Sequence, residues 1–335
     1  MSQLFESRVR ARAIVGVGVL ALALAACGGD GEEGSGPTPA PASSSFPDPA
    51  GRTIDELLAE AKPGDDIVAS PAGAVFEPGD KRFAFGLFHL DRSQVTDAEV
   101  AIYAQSRHDS EARGPFPARV ESLETEPAYV AKTTADDPDA AKVVYVSKVP
   151  FKTAGEWRLI AMVRTDDGVV AARVPSVVVK EQKGIPGVGE PAPVVHTPTA
   201  DDVGSLAEID TRQPPSTMHE HDLADVLGEQ PVVLLFATPA LCVSRVCGPV
   251  VDVAEQVKDD YADEGVAFIH MEIYEDNVMD PENLRPQVKA YGLFTEPWLF
   301  VIDAQGIVRE RIEGAFSVSE LEKAVERVLA DAPAG

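Results

Sequence analysis

The feature that most constrains this chain is a change of hydrophobic period part-way along it. From about residue 63 to Lys180, apolar and polar residues alternate in short runs. After a Pro- and Gly-rich stretch from Glu181 to Thr217, apolar residues gather into unbroken runs and helical stripes. A period of two marks strands with one wet face, whereas continuous apolar runs mark strands covered on both faces. The alternating runs are Arg82–Leu90, Ala98–Ala104, Lys142–Val149, Glu156–Arg164 and Val169–Val179. Asp136-Asp137-Pro138 and Asp166-Asp167-Gly168 supply turns between some of them. Six to eight short strands in about 115 residues predict an antiparallel β-sandwich over residues 63–180. Ahead of it, Thr53 to Ala61 reads as a short helix closed by Pro63-Gly64.

The second half alternates strands with helices. Asp222–Leu227 reads as helical, Pro231–Phe236 as a buried strand, and Val250–Tyr261 as a helix. Val266–Ile273 and Trp298–Ile302 are strands, and Asp303-Ala304-Gln305-Gly306 turns the latter into Ile307–Ile312. The last helix opens on a capping box, Ser317-Val318-Ser319-Glu320, and repeats apolar residues at Leu321, Ala324, Val325, Val328 and Leu329. Net charge is −26, which argues against nucleic acid as a partner, since phosphate binding needs clustered Lys and Arg.

The N-terminus reads as an address. Arg8, Arg10 and Arg12 precede the uncharged run Ala13–Ala26, too short for a transmembrane helix but suited to a signal-peptide core. Leu24-Ala25-Ala26-Cys27 resembles the bacterial lipobox. That resemblance implies removal of residues 1–26, lipidation of Cys27, and a position at the cell membrane on the extracytoplasmic side. Residues 27–62, rich in Gly, Pro, Ser and acidic groups, are expected as a disordered tether. Disulfides persist outside the cytoplasm. With Cys27 taken by lipid, Cys242 and Cys247 are the pair left of the three cysteines.

Phe151-Lys152-Thr153-Ala154-Gly155-Glu156-Trp157 resembles the late-strand hairpin of bacterial immunoglobulin-like domains, which names the expected sandwich. Val188-Gly189-Glu190-Pro191-Ala192-Pro193 resembles the leader of thioredoxin-like and peroxiredoxin domains, placed after the linker and leader of residues 181–217. The order over residues 186–332 resembles the thioredoxin-like fold. A buried strand comes first, then cysteines at the next helix start, a strand preceded by Pro297, a hairpin and a final helix. The resemblance implies an α/β domain in which Pro297 is cis, faces the active cysteines and positions a partner chain. It also implies thiol–disulfide exchange with protein thiols or disulfides of the cell envelope. No cofactor is implied beyond a redox-active Cys242–Cys247 disulfide.

The active segment, Phe236-Ala237-Thr238-Pro239-Ala240-Leu241-Cys242-Val243-Ser244-Arg245-Val246-Cys247-Gly248-Pro249, departs from the family by placing four residues between the cysteines instead of two. On an ideal helix, residues five apart have Cα atoms about 8.7 Å apart, and a disulfide needs roughly 4.4–6.8 Å. Either Cys242 lies in the loop before the helix or the first turn unwinds on oxidation. Cys242 is preferred as nucleophile, because it follows the strand at nearly the family interval. Cys247 competes, since Val246-Cys247-Gly248-Pro249 matches the thioredoxin half-motif. Arg245 and the helix dipole are expected to lower a thiol pKa. Glu296, beside Pro297, is a candidate for the buried carboxylate that Val232–Phe236 lacks.

Other classes remain open. A thiol peroxidase would need Thr or Ser at Pro239 and Arg at Pro297, and a copper chaperone of the Sco type would need His at Thr295. A binding or scaffold lipoprotein that kept the fold without turnover is the alternative from another class. No metal site is expected. His89, His108 and Met162 read as strand residues, His219 and His221 as solvated, and His270 as a satisfied core residue.

Overall fold

The computed structural model describes residues 36–330. The signal segment, Cys27 and the start of the tether lie outside these. Residues 36–62, expected as tether apart from one short helix, are packed against the all-β region. Thr38 and Val120 exchange backbone hydrogen bonds of 2.9 and 3.0 Å. Phe46 is buried, and helix α1 (Ile54–Glu60) buries Ile54 and Leu57 against Tyr103, Ile160 and Met162. Hydrogen bonds to the barrel, among them the Ile54 amide to Gln105 at 2.9 Å and Arg158 to Asp55 at 2.6 and 2.8 Å, help these apolar residues hold a segment whose overall composition is that of a spacer. The helix starts where Thr53 accepts from the Glu56 amide at 3.2 Å and the Glu56 carboxylate accepts from the Thr53 amide at 2.8 Å.

The all-β region comprises β1 (Lys62–Pro71), β2 (Gly79–His89), β3 (Gln94–Val95), β4 (Val100–Ser106), β5 (Arg113–Ser122), helix α2 (Lys132–Ala135), β6 (Val143–Phe151), β7 (Gly155–Thr165) and β8 (Gly168–Val179). Its strands neighbour one another as β1-β8-β7-β4-β5-β6-β2, and β1 then pairs with β2 from Ile67↔His89 to Pro71↔Phe85. The sheet thus closes into a seven-stranded barrel with β3 appended, which corrects the immunoglobulin-like sandwich. Strand alternation is the same in both architectures; closure depends on β1, whose KPGDDIVASP gives no strand signal of its own. Pro63-Gly64, expected to end the preceding helix, lies inside β1. Strand β5 also escapes the pattern because of Pro115 and Pro117. Its ladder with β6 begins only at Ala118, so the prolines occupy the stretch that pairs with β4 alone. Phe83, Phe85, Tyr145, Phe151 and Trp157 fill the barrel, and the Trp157 indole N–H donates to the Thr153 carbonyl at 2.9 Å.

The second half comprises α3 (Leu223–Val226), β9 (Val232–Phe236), α4 (Cys247–Asp260), β10 (Ala267–Met271), α5 (Pro286–Ala290), β11 (Trp298–Ile302), β12 (Val308–Glu313) and α6 (Val318–Ala330). Its sheet runs β10-β9-β11-β12, with β9 parallel to β10 and the other pairs antiparallel. Helices α4 and α6 cover one face, and Leu223, Val288 and Tyr291 pack on the other, so β9 and β11 are buried throughout. This is the thioredoxin-like arrangement expected from the sequence.

The two halves share a core. Ala84, Val144 and Val146, on the outer wall of β2 and β6, pack with Leu123 into the same cluster as Val250, Val253, Phe316 and Leu321. Gly314, at φ +82°, passes so close that a Cβ there would stand 2.2 Å from the Ala72 carbonyl oxygen. Ionic contacts cross the junction too. Arg82 reaches Glu320 at 2.8 and 3.0 Å, Arg119 reaches it at 2.7 Å, and the Ser317 hydroxyl donates to Glu121 at 2.6 Å. Only half of the expected capping box forms: Ser317 Oγ accepts from the Glu320 amide at 3.2 Å, while the Glu320 carboxylate turns to the two arginines.

Burial alone would raise the Glu320 pKa, but Arg82 and Arg119 outweigh it and hold the carboxyl below its ordinary value. A carboxyl depressed in the folded state stabilises above its unfolded pKa and loses that contribution as pH falls through the folded value. We therefore expect unfolding free energy to fall on acidification below about pH 4.5 less steeply in Glu320→Gln than in the parent chain. Denaturant titrations across that range check it, and parallel curves would refute it.

Candidate active site

Strand β9 ends at Phe236, and α4 begins at Cys247, with Val246 as its unassisted N-cap. The chain between them is held from below and from the side. Thr211 Oγ1 accepts from the Ala240 amide at 3.0 Å, the Leu241 amide donates to the Thr238 carbonyl at 3.2 Å, and the Arg245 carbonyl accepts from the barrel's Ala141 amide at 3.0 Å. Arg245 adopts φ +62°, the left-handed region, and reverses the chain just before the helix. As a result Cys242 and Cys247 have Cα atoms 5.9 Å apart and are disulfide-bonded. Of the two arrangements the spacing allowed, Cys242 lies in the loop and the helix stays intact. Pro249 falls in the first turn of α4, where its missing N–H would have no intrahelical partner.

The two sulfurs differ in access. Cys247 is fully buried in the cluster under α4. Cys242 is half-buried and lines a cavity of about 540 Å³ walled by Phe88 and His89 of the barrel, by Leu241 and by Met279. Cys242 Sγ is 3.1 Å from Ser244 Oγ. The α4 N-terminus, which favours a thiolate, begins at Cys247 itself. Arg245 directs its guanidinium to Asp137 of the barrel, at 2.9 Å.

The Glu296–Pro297 peptide is cis, as expected. Trp298 pairs with Phe236, so Pro297 stands level with Ala237 at the end of β9, buried, and does not line the cavity at Cys242. Burial holds the Glu296 carboxyl above its ordinary pKa.

Behind the loop lies a polar cluster that the sequence did not announce. His219, expected as solvated, is buried, and its Nε2 lies 3.0 Å from Asp210 Oδ2. Residues 209–219 fold beneath the loop, where the Met218 carbonyl accepts from the His270 amide at 2.9 Å. His270 is a satisfied core residue, with Nε2 3.1 Å from the Ala237 carbonyl and Nδ1 3.3 Å from Asp210. Burial opposes charging His270, but Asp210 outweighs it and raises the imidazole above its usual range. The available signal was the pair His270 and Glu272, two polar residues of equal parity in the apolar run Val266–Ile273. Arg212, in the same segment, pairs with Asp252 of α4 at 2.9 Å and donates to the Tyr129 carbonyl of the barrel at 2.7 Å. Among the described residues, no helix is long and apolar enough to cross a membrane.

No family model matches the chain, and no curated protein matches it. Among solved structures, part of the chain is similar to a Chlorobium tepidum protein described as a thiol:disulfide interchange protein DsbE. Identity is 19%, covering 43% of this chain and 99% of that one, with a TM-score of 0.32. It is also similar to a thioredoxin-family thiol:disulfide interchange protein from Chlorobium tepidum TLS, at 20% identity over 45% of this chain and 99% of that one, TM-score 0.27. A thioredoxin-like protein solved in its oxidised form shares 19% identity over 34% of this chain and 88% of its own, TM-score 0.22.

Proposed function

We propose that this chain is a lipid-anchored, extracytoplasmic thiol–disulfide oxidoreductase acting on protein thiols or disulfides of the cell envelope. The observation that carries this reading is the asymmetry of the Cys242–Cys247 disulfide, with one sulfur open to a cavity and the other buried at the first position of α4. Exchange requires in-line access to one sulfur and a stable thiolate as leaving group at the other. In the oxidising direction, a substrate thiolate attacks Cys242 Sγ, the intramolecular S–S bond breaks, and Cys247 leaves as a thiolate at the helix N-terminus. A second substrate thiolate then attacks the substrate sulfur of the mixed disulfide. The substrate gains a disulfide and the protein becomes a dithiol. In the reducing direction, Cys242 thiolate attacks a substrate disulfide, and Cys247 resolves the mixed disulfide by attacking Cys242 Sγ. The cis Glu296–Pro297 peptide stands outside that cavity and would meet a partner chain only at the end of β9, and Cys27 supplies the anchor.

The reduction potential of the full chain tests this, measured by equilibration in thiol buffers and counting of alkylated cysteines. A value between roughly −120 and −270 mV is expected of an exchange protein. A value below about −300 mV would make the disulfide inert and give the lead to a binding or scaffold role.

A further inference from the structure

Four donor atoms converge in the cluster behind the redox loop. Asp210 Oδ2 lies 3.0 Å from His219 Nε2 and 3.3 Å from His270 Nδ1, and Ser216 Oγ lies 3.3 Å from His219 Nε2 and 3.2 Å from His270 Nδ1. The carboxylate and imidazole donors all fall within 4.8 Å of one another. Bonds of about 2.0–2.1 Å to a tetrahedral Zn²⁺ place neighbouring donors about 3.3–3.4 Å apart, close to these edges. All four residues are at most 3% exposed.

Charge points the same way, as does the hydrogen bonding of His270. Asp210 and Glu272 are both buried, and among the described residues neither pairs with a Lys or Arg. Glu272 uses one oxygen to accept from the Thr211 amide at 2.7 Å, and its other oxygen has no partner. Asp210 Oδ1 accepts from the Arg212 amide at 2.7 Å, and Oδ2 already accepts from the Ser216 amide at 2.6 Å. Oδ2 also faces two imidazole nitrogens, 3.0 and 3.3 Å away. One divalent ion balances the two carboxylates and leaves both imidazoles neutral. His270 has the form of a metal ligand: Nε2 is bound to the Ala237 carbonyl, leaving Nδ1 to face the cluster. Two imidazole nitrogens favour zinc over magnesium or calcium.

We infer that Asp210, His219 and His270, with Ser216 Oγ as fourth donor, form a buried structural site for one Zn²⁺ ion. The ion ties residues 210–219 to β10 and, through His270, to the Ala237 peptide from which the redox loop departs. The site does not depend on the exchange chemistry proposed above.

The test uses the full chain expressed with added zinc, dialysed and analysed for metal. One zinc per chain is expected. It should persist in the Cys242→Ser/Cys247→Ser double variant and be lost from His219→Gln and His270→Gln. Because those His variants can also fail to fold, the Co²⁺-loaded parent chain supplies a second reading. Its spectrum should show tetrahedral d–d bands with no thiolate-to-cobalt charge transfer. The inference is overturned by a chain that purifies without zinc and whose melting temperature is unmoved by added Zn²⁺. It is equally overturned by zinc that leaves with the cysteines and stays in the His variants, or by a thiolate band in the Co²⁺ form.

Discussion

Cys242→Ser is expected to reduce thiol–disulfide exchange to the uncatalysed background, whereas Cys247→Ser retains the first step and accumulates a mixed disulfide with its partner. The argument is one of access. Cys247 lies in the core beneath α4, so no partner sulfur approaches it along the S–S axis, whereas Cys242 lines the opening between barrel and loop. A serine hydroxyl at 242 forms no mixed disulfide. With serine at 247 the mixed disulfide forms, but the resolving sulfur is missing. Alkylation trapping followed by non-reducing gels distinguishes the two variants. Partners trapped by Cys242→Ser and not by Cys247→Ser would reverse the roles, and equal activity in both would remove the exchange reading.

The second large effect is on stability. Arg212→Leu should cost about 3–5 kcal/mol, the range for removing one member of a buried ion pair. Arg212 and Asp252 have side-chain exposures of only 7% and 2%. Besides Arg212, Asp252 accepts from the Ala131 amide at 3.2 Å, so the variant leaves it a buried anion without a cation. Arg212 also donates to the Tyr129 and Pro214 carbonyls at 2.7 and 3.0 Å, and both acceptors lose their partner. Urea unfolding measures the cost. Adding Asp252→Asn to Arg212→Leu should recover a large part of it, because the stranded charge goes with the carboxylate. A double variant no more stable than the single one would place the loss in the two carbonyls.

What the sequence made legible came from local rules. Thr53 and Glu56 mark a helix start because both halves of the capping box lie within one turn. Trp298–Ile302 reads as a buried strand because its apolar run is unbroken and bounded by Pro297 and Asp303. The Cys pair and Pro297 were visible as residues, and the loop placement of Cys242 was one of two geometries their spacing allowed. What stayed hidden was set by partners distant in the chain. Strand β1 is polar and carries Pro63 and Gly64, and it is a strand because β2 and β8 offer open edges on either side. His219 looks solvated beside Glu220 and His221 until Asp210 and His270 are brought around it. Arg245 stands next to the cysteines in sequence, and its guanidinium pairs with Asp137, more than a hundred residues earlier.

The core shared by barrel and thioredoxin-like fold also bears on how such a chain can be inherited. Ala84, Leu123, Val144 and Val146 belong to the barrel by sequence and to the α4–α6 layer by packing. A gene segment cut at the Pro- and Gly-rich linker would therefore encode a thioredoxin-like fold with one flank bare. The two halves are not interchangeable modules on a string, and a substitution in one wall must be answered in the other.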